Sequence, residues 1–100
     1  VVQVYLDVKR TPKDSKGFTI VRTFVDFVDI VMREQVTLLS LDHDLQESRL
    51  SLDAVSWLIK KDIFIQYINI HSFSRTGSLL LKKRLEKHFP ETVITMNCHL

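Results

Sequence analysis

One hundred residues carry 14 basic and 12 acidic side chains, a net charge of +2, and 45% hydrophobic residues. That length supports one core rather than two, and so mild a charge does not by itself announce a nucleic-acid partner. No apolar run approaches the roughly 20 residues of a membrane span, the start VVQVYLDVKR lacks a signal-peptide layout, and the lone Cys98 excludes an internal disulfide, so a single cytoplasmic domain over residues 1–100 is expected.

VVQVYLDV is short, β-branched and aromatic, and reads as a first strand. KRTPKDSKG is a loop punctuated by Pro12 and Gly17, and FTIVRT is a second strand. Thr23, with Asp26 three residues on, forms a capping box that opens the helix FVDFVDIVMRE, where Phe24, Phe27, Val28 and Val31 recur at helical spacing. VTLLSL is almost continuously apolar, as a strand covered on both faces must be. After a polar loop, Ser51 is expected to cap a second helix, LDAVSWLIKKD, whose stripe is Leu52, Val55 and Ile59. QYINI is a fourth strand. TGSLLLKKRLEKHF is a third helix with Lys and His gathered where the macrodipole favours cations, and after Pro90 TVITM supplies the fifth strand.

The order β-β-α-β-α-β-α-β argues for an α/β sheet layered by helices, its last three strands joined by segments long enough for parallel crossovers. The first connection has no helix. It fits either a hairpin or a helix-free crossover, and periodicity does not decide between them. In an open α/β sheet ligands bind at the C-terminal ends of the strands. Asp7 falls near that end of the first strand, Asp42, His43 and Asp44 at that end of the third, and His71 and Ser72 at that end of the fourth.

The segments YLDVKRTP, SLDHDL, LDAVSWL and IHSFSRTG resemble, in order and spacing, the motif series of the cyclic-phosphate-processing receiver-like domains. The resemblance implies a three-layer, receiver- or flavodoxin-like fold with a five-stranded, mostly parallel sheet and about three helices, the first crossover helix missing. It also implies a pocket at the strand C-termini that processes cyclic or terminal phosphates of nucleotides or RNA. Asp7, Arg10, Pro12, Asp42, His43, Asp44, Asp53, His71, Ser72 and Gly77 match the family pattern. Val8 stands where a second acid is usual, Lys9 replaces a glutamate, Ser74 an asparagine and Ser51 a glycine, which marks a diverged member.

Each residue type has its own chemistry. Asp7, Asp42 and Asp44 would suit a hard divalent ion, Mg²⁺ or Mn²⁺; the plainer role for Asp42 and Asp44 is to end a strand and accept from turn amides. His43 and His71, with Asp42 beside them, would make an acid–base pair for opening a cyclic phosphate, because imidazoles titrate near neutral pH; the plainer role is a histidine satisfied by a carbonyl. Arg10 would hold a phosphate through paired hydrogen bonds, and Arg75 with the amides of Thr76, Gly77 and Ser78 would form a second anion site; either arginine is otherwise a solvated charge. Ser72 is a phosphate donor or a cap. His88 and His99 are structural or surface residues, and Lys82, Lys83 and Lys87 form a solvated face unless salt-dependent binding makes it an RNA contact. Trp57 and the Leu/Ile stripes are core or a homodimer surface.

The functional expectation is therefore a cyclic phosphodiesterase or phosphohydrolase. The alternative is a non-enzymatic receiver-like module that binds a protein or nucleotide. A phosphorelay receiver fits less well, because no lysine follows the fifth strand, where TMNCHL stands, and Val8 removes an acid.

Overall fold

A computed structural model describes residues 1–8, 17–42, 49–71 and 75–97, with the side chains of Arg75 and Asn97 excepted. Its elements are β1 (Val2–Leu6), β2 (Phe18–Val21), α1 (Phe24–Arg33), β3 (Val36–Asp42), α2 (Leu50–Lys61), β4 (Tyr67–His71), α3 (Arg75–His88) and β5 (Val93–Asn97). The strands form one five-stranded sheet in the order β2-β1-β3-β4-β5. Every neighbouring pair is parallel. The direction that the sequence left open is thereby fixed: β1 and β2 run parallel, with Gln3 opposite Phe18 and Leu6 opposite Val21. A hairpin would have reversed the chain; this pair is a crossover without a described helix.

The strand order decides the layering. From β2 through β3 and β4 to β5 the chain always steps in one direction across the sheet, and right-handed crossovers then put α1, α2 and α3 on the same face. The helices touch in series, α1 on α2 and α2 on α3, and the Phe27 and Trp57 rings meet edge to face at 5.9 Å. Alternation along the strands sends Val4, Leu6, Leu39, Leu41, Ile68 and Ile70 into this helix-covered core, all at most 2% exposed. The intervening residues, among them Tyr5, Ser40, Asn69 and Thr95, face the other way, away from the three helices. Among the described residues no helix covers that second face.

The helix ends follow local chemistry. Thr23 has extended backbone and its Oγ1 accepts from the Asp26 amide at 3.1 Å, so the expected cap forms. Thr23→Ala is expected to cost about 1 kcal/mol, read as a shift in the urea midpoint; no shift would mean that solvent replaces the cap. In α1 the buried residues are Phe27 and Ile30, while Val28 and Val31 are half-buried and Phe24 sits at the exposed boundary. For α2 the expected cap is corrected. The helix starts at Leu50 with Arg49 as N-cap, and Ser51, inside the first turn, donates its hydroxyl to the Asp42 carbonyl instead. The turn is thus tied to the end of β3. At its C-terminus Asp62 takes the left-handed conformation (φ 55°), and its amide reaches the carbonyls of Ile59 and Leu58. Trp57 is half-buried and packs against the core, as one of its two expected roles required.

Candidate functional site

Strand register builds the site. One step beyond the Leu6–Leu41 pair, Asp7 lies opposite Asp42, which is itself paired with His71. A row of carboxylate, carboxylate and imidazole therefore crosses three adjacent strands at their C-terminal ends, on the face away from the helices. One ligand atom from each of Asp7, Asp42 and His71 lies within 4.8 Å of the others.

His71 does more than end a strand. Its ring reaches across β3: Nε2 is 3.1 Å from Asp7 Oδ2 and Nδ1 is 2.7 Å from Ser40 Oγ. Tyr5 stacks on it, ring centroids 4.4 Å apart and planes 11° from parallel, and is held in turn by an edge contact with Phe18. His71 and Asp7 are 1% and 2% exposed. An imidazole and a carboxylate so deeply buried persist only when hydrogen-bonded, and here each is the other's partner.

The backbone at the row is fixed as well. The Asp7 amide donates to the Val21 carbonyl at 3.1 Å, and Arg22 Nη1 donates to the Asp7 carbonyl at 3.1 Å. Ser51 holds the Asp42 carbonyl from the helix side. Below the row, Ser40 donates to Asn69 Oδ1 at 3.2 Å and Asn69 Nδ2 donates to Thr95 Oγ1 at 2.8 Å, so a second polar line runs from β3 to β5. A buried cluster of this kind can hold a cation, or a proton shared between imidazole and carboxylate.

The structure brings together three of the residues singled out in the sequence, Asp7, Asp42 and His71. Gly77 lies buried in the first turn of α3, which Arg75 opens; the Arg75 side chain is outside the described set. Arg10, His43, Asp44 and Ser72 also lie outside the described residues. Val8 is 38% exposed just past the row, and His88 is exposed at the far end of α3. Sequence reasoning missed Tyr5, Ser40 and Asn69. A signal was there: each precedes a rim residue by two positions, the strand period that puts Tyr5 with Asp7, Ser40 with Asp42 and Asn69 with His71 on one face.

Comparison with known proteins agrees with this architecture. Neither the curated proteins nor the solved structures contain a significant match to the chain. A family model described as the Cyclic-phosphate processing Receiver domain matches residues 2–87, from the first strand to the end of the third helix. Such a match runs through every strand that contributes to the row, and on that ground the chain belongs to the family of cyclic-phosphate processing receiver domains.

Proposed function

We propose that this domain binds and hydrolyses cyclic or terminal phosphates of nucleotides or RNA at the C-terminal rim of its sheet. The row Asp7–Asp42–His71 carries the reading, because two carboxylates and an imidazole, Asp42 half-buried and the other two buried, favour a cation and a cation is what brings a phosphate to a carboxylate-lined site. The donors fit such an ion. Asp7, Asp42 and His71 each offer one ligand atom, all within 4.8 Å of one another, so these residues would hold a divalent ion. His71 thus joins Asp7 and Asp42 in the ligand set, with Asp44 of the expected set lying beyond the described residues. When bound, the ion would neutralise phosphate oxygens and activate a water.

The chain's own groups divide the remaining work. His71 has a partner at both ring nitrogens and is shielded from solvent, which suits holding and orienting better than delivering protons to a substrate. Proton transfer falls to His43, next in sequence to Asp42. Arg10, Ser72 and the amides opening α3 would orient the phosphate. Exposed Lys83 and Lys87 on α3 offer an RNA strand a salt-dependent contact.

The test is turnover of a nucleotide 2′,3′-cyclic phosphate with Mg²⁺ or Mn²⁺. Asp42→Asn is expected to lower kcat/KM by about 100-fold or more while leaving the circular dichroism unchanged. Full activity in that variant would remove Asp42 from the site. The exposed Val8, in place of an acid, supports a second reading, a binding module without turnover; ligand binding with no hydrolysis at any ion concentration would favour it.

A further inference from the structure

At the edge of the sheet opposite the polar row, the chain enters β3 and β4 close to where the helices end. Phe64, in the connection from α2 to β4, is 51% exposed there. Two clefts flank its ring. One, of about 230 Å³, is walled by Val31, Glu34, Ile63 and Gln66; the other, of about 270 Å³, by Asp62, His88, Pro90 and Glu91. Val36, Ile65 and Phe89 line them from the core, each at most 9% exposed. An exposed aromatic between apolar clefts with a polar border is the pattern of an interaction site. The charge of the border has one sign. Among the described residues that line the clefts the ionisable ones are Glu34, Asp62, Glu91 and His88, whereas Lys60, Lys61 and Lys87 at the helix ends line neither. Glu34 and Asp62 are also the C-caps of α1 and α2, so they stand at the negative ends of helix dipoles, where a cation is the favoured neighbour.

We infer that this edge docks an extended segment of a partner protein in which bulky apolar side chains are interspersed with lysines or arginines. The apolar side chains enter the clefts on either side of Phe64, and the cations meet Glu34, Asp62 and Glu91 or lie over the Phe64 ring. Size and charge favour this occupant over the others. Each cleft is smaller than the roughly 300–1,000 Å³ of a small-molecule site, and so suits single side chains of a polymer. The acids repel the phosphates of nucleic acid and of anionic lipid. A second copy docked about a two-fold axis would set the same acids against one another. Occupancy of this edge leaves the rim open, because the polar row lies at the other ends of the same strands.

The experiment is a titration of the full chain, followed in ¹⁵N–¹H spectra, with a short soluble peptide of lysines and leucines and with its counterpart carrying glutamate for every lysine. The lysine peptide is expected to shift amides within residues 34–37, 62–66 and 88–91, and to bind at least about tenfold more tightly than the glutamate peptide. Salt at about 1 M, where the screening length falls to about 3 Å, should weaken it about tenfold. Phe64→Ser is expected to weaken it by about tenfold or more, and Glu34→Gln combined with Glu91→Gln by about tenfold. Equal binding of the two peptides, shifts centred on the rim, no binding of the lysine peptide, or full affinity in Phe64→Ser each overturns the proposal. Self-association of the chain that Phe64→Ser abolishes also overturns it, and assigns the edge to a second copy. Should Phe64→Ser not fold, the double glutamine variant, altered only at exposed residues, decides alone.

Discussion

Replacing His71 with alanine is expected to destabilise the fold by about 3–5 kcal/mol, a large share of the roughly 5–15 kcal/mol available to a domain of this size. Two costs combine. The ring fills the space between Tyr5, Ser40 and Asp7, so its loss opens a cavity in the polar layer. Its loss also takes a hydrogen-bond partner from a carboxylate that is 2% exposed. Breaking such a pair from one side costs more than removing both sides, because the surviving charge stays buried. The measurement is urea unfolding of His71→Ala, Asp7→Ala and the double variant. The double variant should cost less than the sum of the two by about 0.5–3 kcal/mol. Strict additivity would mean that Asp7 and His71 act independently despite their 3.1 Å separation.

Phe27→Ala is expected to cost a similar 3–5 kcal/mol, through a different mechanism. Phe27 is fully buried and is the contact that locks α1 to α2, its ring edge-on to Trp57. Dispersion contacts made by a buried aromatic are recovered only in part when neighbours relax. Trp57 reports the event directly, since loosening of its packing should shift its fluorescence to the red in the folded state. A loss below about 1 kcal/mol would indicate that α1 repacks around the void. Because Phe27 packs on the helix-covered face of the sheet and the polar row lies on the other, its cost should add to that of His71→Ala within about 0.5 kcal/mol.

The element order was legible because strand and helix periods differ, and each of the eight segments carried one of them clearly. Their ends were less so. His71 is the last residue of β4 rather than the first of a loop, and only as a strand residue does it share a face with Asn69. Ser51 stood where a serine commonly caps a helix, yet its hydroxyl is taken by a carbonyl on β3, a contact that local sequence cannot foresee. The direction of β2 was hidden for the same reason: it is set by pairing, and the linker length allows either answer. At the site, Asp7, Asp42 and His71 could be read from their place at strand ends. Ser40 and Asn69 carry only the weaker signal of lying two positions before rim residues, and their contacts with each other and with Thr95 emerge only when register sets them side by side.

Strand β1 comes first in the chain but lies inside the sheet, hydrogen-bonded to β2 on one side and β3 on the other. Its pairing with β3 joins Val2 to Val36, a long loop to close compared with the successive crossovers that link β3, β4 and β5. The α1 crossover therefore spans a slot one strand wide, and the sheet is continuous only when β1 fills it. Asp7 follows that strand directly. Any partly assembled chain with the slot empty also lacks the carboxylate that His71 faces, so the polar row is complete only when the sheet is.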